Sequence, residues 1–252
     1  MDQLLTSVQK SCKLLKIFLD SEKELGVSEL SRRLQLSKGA IHKLLTTLEH
    51  EGFIKQNPVN KQYSLGYTLL ELGNKVKKHD DWADFSRPFL QSLAGYTKEL
   101  VCLCIIDGND AIYVDKIESQ HPIRFNVDAF RRFPLYATSA SRSILAYRSE
   151  SAIDLVLSES LRQYTPYSIS DPAVVKERLA NIRLNGYETS SNLRNVGVTA
   201  VAAPIFDADG NVTASISLIG PTDRMQDNLA HWTEKVLETT HEISSHFGNK
   251  SY

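Results

Sequence analysis

Leu25-Gly-Val-Ser-Glu-Leu-Ser-Arg-Arg-Leu34, Gln35-Leu36 and Ser37-Lys-Gly-Ala-Ile-His-Lys-Leu-Leu-Thr46 read as two short helices joined by a tight turn. Ser28 and Ser37 stand where an N-cap hydroxyl is wanted, with Leu30 and Leu34 on one face of the first helix. In the second, Ile41, Leu44, Leu45 and Leu48 recur at i, i+3, i+4 and i+7, so they form one stripe that wants burial. The face left over carries Ser37, Lys38, Gly39, His42, Lys43 and Thr46. These residues are short, basic or hydrogen-bonding, which suits a helix entering a major groove. Gly52 ends this helix. Phe53-Ile-Lys-Gln56 and Gln62-Tyr-Ser-Leu65 then read as two strands around Asn57-Pro-Val-Asn-Lys61, a hairpin with a basic tip. Lys55 and Lys61 sit on it as phosphate contacts. The helix pattern alone would equally suit a three-helix subdomain with a solvated face. The hairpin that follows, and the distribution of charge, favour a winged helix-turn-helix on double-stranded DNA.

Net charge is −1 over 252 residues, yet it is unevenly divided. Residues 1–79 carry thirteen Lys and Arg against eight acids, and the rest carries sixteen against twenty-two. A basic piece on an acidic body is the footprint of a localised nucleic-acid contact. With 42% hydrophobic residues the chain can build two cores. No apolar run approaches the roughly 18 residues that span a bilayer. Asp2 stands where a secretion signal would be basic, and Cys12, Cys102 and Cys104 make no disulfide framework, so a reducing cytoplasm is expected.

Leu4 to Asp20 reads as a helix packing on the helix pair, and Gly66 to Lys78 as a helix leaving it, with a linker at His79-Asp80-Asp81. The leucines of both helices ask for a second copy of the chain. Beyond, helices are expected at 85–97, with Pro88 in the first turn, at 139–149, 152–158 and 227–247. Another runs from Asp171 as N-cap and Pro172 at N1 to Gly186. Hairpins turn at Asp107-Gly-Asn-Asp110 and Asp207-Ala-Asp-Gly-Asn211, and Ile123 to Val127 reads as a further strand. Hairpin connections make the sheet mainly antiparallel and the domain α+β.

Leu36-Ser-Lys-Gly-Ala-Ile-His-Lys-Leu-Leu45, Tyr63-Ser-Leu-Gly66, Pro134-Leu-Tyr-Ala-Thr138, Ile144-Leu-Ala146, Gly186-Tyr187, Gly197-Val-Thr-Ala-Val-Ala-Ala-Pro204 and Ser217-Leu-Ile-Gly-Pro221 together resemble the IclR family of transcriptional regulators. The resemblance covers almost the whole chain, in order. It implies a winged helix-turn-helix (1–66), a linker helix (67–81) and a GAF-like effector-binding and oligomerisation domain (82–252). It also implies homodimers or homotetramers on palindromic operators, and no catalysis or cofactor. Gly39-Ala40 replaces a frequent Ser-Thr and Lys43 a frequent Arg, which changes what the helix can read. Ser141-Arg142 replaces a usual Gly-Lys, and Thr189 to Asn195 replaces a stretch rich in acids.

In the resemblance, the effector pocket lies between the loop entering the helix near 140 and strands around 190–220. Thr138, Ser139, Ala140, Ser141, Ser190, Ser191, Asn192, Thr199 and Ser217 occupy those positions. Free N–H groups at the start of the 139–149 helix would receive a carboxylate, and Arg142 either adds charge or faces solvent. A small organic acid is therefore the expected effector. Repression is favoured over activation, because a dimer seated on a promoter excludes polymerase without a specific contact. The competing reading is a GAF-like thiol redox enzyme that uses Cys102 or Cys104, with the N-terminal domain as a docking module. The two thiols lie two apart on one strand face, but no second cysteine pair or His-x-x-His completes a metal set.

Overall fold

The computed structural model describes residues 4–77 and 81–249 and divides the chain into two compact units, Met1–Asp81 and Trp82–Tyr252. In the first, α1 (Thr6–Ile17) is extended by one tighter turn at Phe18–Asp20 and followed by α2 (Val27–Leu34) and α3 (Lys38–His50). Strands β1 (Ile54–Gln56) and β2 (Tyr63–Leu65) pair antiparallel, and α4 (Tyr67–Lys77) leaves directly from β2. Leu14, Phe18, Leu30, Ile41, Leu45 and Tyr63 are buried together at the centre. Leu44 of the expected stripe is only half-buried.

Ser37 caps α3, its hydroxyl accepting from the Ala40 N–H at 3.2 Å. Ser28 does not cap α2. The helix starts earlier, at Val27, because Leu25 exchanges backbone hydrogen bonds of 2.9 Å with Tyr63 and the chain turns at Gly26. At the wing's exit, a Cβ on Gly66 would lie 2.1 Å from the Gly52 carbonyl oxygen, so only glycine lets the two backbones touch.

The second unit is an α+β, GAF-like domain. Its sheet contains β3 (Leu100–Asp107), β4 (Asp110–Ile117), β5 (Arg132–Pro134), β6 (Glu188–Ser191), β7 (Val198–Phe206) and β8 (Val212–Pro221). The order is β5-β4-β3-β8-β7-β6, every pairing antiparallel. One face packs on α5 (Asp81–Thr97) and α10 (Leu229–His246) through Leu90, Val101, Leu103, Val236 and Ile243. The other packs on α6 (Ser139–Leu145), α7 (Glu150–Leu157) and α8 (Pro172–Asn185) through Cys102, Cys104, Ile144, Ile153 and Leu179. A short α9 (Thr222–Gln226) precedes α10. Among the described residues, no helix is long and apolar enough to cross a membrane.

Several expected boundaries move. Residues 78–80 of the expected linker lie outside the described residues. Helix α5 begins four residues early, which places Pro88 in its interior, on an exposed position where water can serve the carbonyl left without a donor. The early start is explained by Trp82 and Phe85, which pack on Phe247 with ring centroids 4.0 and 4.9 Å away. Ile123 to Val127 is not a strand. The Val127 carbonyl is taken by Lys116 Nζ at 2.6 Å, and the edge position belongs to β5 instead. Helix α6 stops at Leu145, where the Ala146 carbonyl accepts from the Arg183 guanidinium, and Ser149 caps α7.

Arg142 does not face solvent; it is buried and paired with Glu188. It is 2% exposed, its Nε donating to both Glu188 oxygens at 2.8 and 2.9 Å and Nη1 to the Tyr136 carbonyl at 2.8 Å. Arg178 Nη1 reaches the same carboxylate at 2.7 Å. Removing the acid would strand a buried guanidinium, which costs about 3–5 kcal/mol. Glu188→Ala is therefore expected to lower the unfolding free energy of this domain by about that amount in urea titration. Arg142→Met with Glu188→Leu should restore most of it; equal stability of Glu188→Ala and the parent would contradict the assignment.

Candidate nucleic-acid interface and ligand cavity

Burial of Ile41, Leu45 and Leu48 fixes which way α3 faces. Ser37, Lys38, Gly39, His42, Lys43 and Thr46 all remain exposed on the other side. Nothing lies within 4 Å of where a Gly39 Cβ would stand, so no packing within the chain requires a glycine there. The wing is held by its own amides: Asn57 Oδ1 accepts from the Val59 N–H and Asn60 Oδ1 from the Gln62 N–H. Glu24, which the sequence did not single out, anchors the tip by accepting from the side-chain amides of Asn57 and Asn60. Lys61 takes a left-handed conformation (φ 59°) with its side chain exposed, whereas Lys55 Nζ lies 5.0 Å from the Tyr67 ring centroid. The face thus offers exposed ammonium groups and one imidazole to a partner.

A cavity of about 370 Å³ opens in the second unit between the 125–139 segment, the 162–164 segment and the 190–198 turn. Tyr113, Phe125, Phe133 and Tyr164 give it aromatic walls, and β7 and β8 contribute Val198 and Ile219. Three of the nine expected effector positions line it: Thr138, Ser139 and Ser190. The other six do not. Ala140 is buried, and its carbonyl accepts from Ser215. Ser141 closes a reciprocal cap with Thr138, which also occupies its own N–H and so removes one of the donors expected for a carboxylate. Ser191 and Thr199 bond each other at 2.8 Å. Asn192 holds the Gly197 N–H, and the Ser217 hydroxyl is buried without a hydrogen-bond partner among the described residues.

The charge comes from residues that the sequence reading passed over. Arg131, Arg162 and Arg194 line the cavity with a single acid, Asp128, whose Oδ2 lies 3.6 Å from Arg131 Nη1. Arg194 Cζ sits 3.9 Å from the Tyr164 ring centroid, a cation–π stack. Burial pushes the Arg194 guanidinium below its ordinary value, and the neighbouring Arg131 and Arg162 add to this. One signal was present in the sequence, because Arg194 stands in the stretch where the resemblance expects acids.

Comparison with known proteins agrees with both units. Residues 7–58 match the IclR helix-turn-helix domain, and residues 75–245 match the family described as bacterial transcriptional regulator IclR C-terminal. The chain is similar to the HTH-type transcriptional regulator KipR of Bacillus subtilis, 34% identical over 96% of this chain and 97% of that one. It is 30% identical to the HTH-type transcriptional regulator XynR of Escherichia coli over 97% and 98% of the two chains. Among solved structures, an IclR transcriptional regulator from Alicyclobacillus acidocaldarius superposes with a TM-score of 0.83 at 27% identity, covering 98% of this chain and all of the other.

These relatives are regulators rather than enzymes, and the thiols speak against the redox alternative on their own account. Cys102 and Cys104 are fully buried. Burial, reinforced by the mutual proximity of the two groups, pushes the Cys102 thiol well up; burial also pushes Cys104 to about 12. Only a thiolate attacks, so both are inert. Cys12 is exposed. Iodoacetamide at about pH 8 should label Cys12 alone in the folded protein and all three cysteines after denaturation, as read by intact mass. Rapid labelling of Cys102 or Cys104 in the native state would reopen thiol chemistry.

Proposed function

Since this chain belongs to the IclR family of bacterial transcriptional regulators, we propose that it is a repressor whose hold on a double-stranded DNA operator is set by a small organic acid. The observation that carries the reading is α3, where three buried leucine-type positions commit one face to the core and leave Lys38, His42 and Lys43 together on the other. Residues 1–66 form the DNA-binding domain, 67–81 the linker that begins with α4, and 82–252 the effector-binding and oligomerisation domain. Ser37, Lys38, Gly39, His42, Lys43 and Thr46 meet base edges and neighbouring phosphates; Lys55 and Lys61 neutralise phosphates from the wing. Arginines around an aromatic cavity favour an anionic effector over a cationic one. Repression follows most simply from promoter occlusion.

Base contacts specify and phosphate contacts position, so two classes of variant separate the roles. Lys61→Ala should weaken binding to all sequences about equally and reduce the salt slope by about one unit. Lys43→Ala should relax preference at one base pair, at a cost of about 1–3 kcal/mol. A folded Lys38/His42/Lys43 triple-alanine variant that binds its operator with undiminished affinity and selectivity would remove α3 from the interface.

The chain works as a dimer or a dimer of dimers. Leu4 and Leu5 before α1, Val8 on it, and Tyr67, Leu70, Leu72 and Val76 on α4 are exposed, an amount of wet apolar surface that a solitary winged helix would not carry. Two-fold pairing would then present two α3 helices to a pseudo-palindrome. Light scattering at micromolar protein should return at least twice the monomer mass of 28.3 kDa; a strictly monomeric mass with and without DNA would defeat this.

A further inference from the structure

Arg131, Arg162 and Arg194 reach the same cavity from three separate segments of the chain. Asp128 balances Arg131, but no carboxylate among the described residues pairs with Arg162 or Arg194. Arg194 Nε is buried and has no hydrogen-bond partner there. A guanidinium taken out of water without an acid or acceptor is costly, so its retention on a cavity wall calls for an anion.

The backbone that carries both residues is held in place, and Arg194 is stacked on Tyr164 besides. Arg162 donates its backbone N–H to the Tyr136 hydroxyl at 2.8 Å. The turn carrying Arg194 is fixed by Asn192, which has φ 64° and bonds the Val198 carbonyl and the Gly197 N–H. Thr165 and Ser168 hydroxyls donate to the carbonyls of Asn192 and Leu193, each at 2.7 Å, joining that turn to the Arg162–Tyr164 segment. Tyr164 lies between the two cations, 5.2 Å from Arg162 Cζ and 3.9 Å from Arg194 Cζ. The stacked Arg194 loses little freedom on binding, whereas Arg162, exposed at the mouth, closes on the ligand from a fixed backbone.

We propose that the effector is a dianion on a small apolar body, Arg194 receiving one negative charge and Arg162 the other, with Phe133 and Tyr164 against the body. A dicarboxylate and a phosphate monoester share this chemistry. The inference rests on reading the cavity as the effector site, and it assigns the ligand's charge and the two residues that select it.

The test is calorimetric titration of the full-length protein with isophthalate, phenyl phosphate, benzoate and benzyl alcohol. At least one dianion should bind about tenfold or more tightly than benzoate, since one charged hydrogen-bonded contact separates them. Whichever of isophthalate and phenyl phosphate prevails identifies the source of the second charge. Arg194→Gln and Arg162→Gln should each bring the dianion down to the benzoate level, while Arg148→Gln, exposed elsewhere on the domain, leaves it unchanged. Arg194→Lys, which keeps charge but loses the planar fork, serves as the check should the glutamine variant fail to keep the parent's thermal midpoint; it too should lose affinity. Equal affinity for benzoate and both dianions, no dianion binding at millimolar concentration, or folded arginine variants with parental affinity would overturn the proposal. In the first of these results the organic-acid reading survives; binding of benzyl alcohol with no anion bound at all would defeat that reading as well.

Discussion

Strands β3, β7 and β8 of the second unit are buried on both faces, so the sheet has to be covered twice. That requirement organises the domain. The long helices α5 and α10 cover one face mainly with aliphatic and aromatic side chains, and Ser244 of α10 accepts from the Phe206 N–H at its edge. The other face is covered by shorter helices and loops, and here polar groups are drawn inside. Glu188 on β6 is the clamp that makes this possible, joining the guanidiniums of α6 and α8 and, through Arg142, the carbonyl of Tyr136 at the cavity's rim. Because the covering on this face is irregular, it leaves a cavity beside this clamp.

The first unit solves a smaller problem. Its core is a few apolar side chains, and each helix can afford to commit only one stripe to it. The stripe of α3 sets the opposite face free, and the charges there are unpaired by neighbours on the same helix. The contrast between exposed cations on α3 and the stacked, half-buried Arg194 of the cavity matches two different kinds of anion. A polyanionic duplex rewards exposed charge through counterion release, whereas a small ligand rewards charge held in one geometry.

What was legible in the sequence was local. Ser37 as a cap, Asp171-Pro172 and Gly186 as the ends of α8, and both hairpin turns depend on residues within a few positions of one another. The family resemblance supplied the order of the domains. What escaped depends on distant partners. Arg142 could not be placed without Glu188, 46 residues away. Phe125 and Val127 alternate like a strand but pack at the cavity, and the early turn of α5 is held by Phe247 near the other end of the domain. The cavity arginines belong to three loops, and no spacing rule brings loops together.

The contact between Gly52 and Gly66 has a mechanical meaning. The chain leaves β2 and enters α4 with the Gly66 N–H bonded to the Phe53 carbonyl at 2.8 Å and backbone packed on backbone at the end of α3. No side chain lies between them to yield. Helix α4 is eleven residues long, about 16 Å of rigid rod. It therefore behaves as a lever arm whose fulcrum is a pair of glycines, and sideways force at its far end turns the wing and the C-terminal end of α3 with it. Gearing of this sort transmits angle rather than distance, so a displacement of a few ångströms at one end of the rod becomes a tilt of the surface that would read the operator.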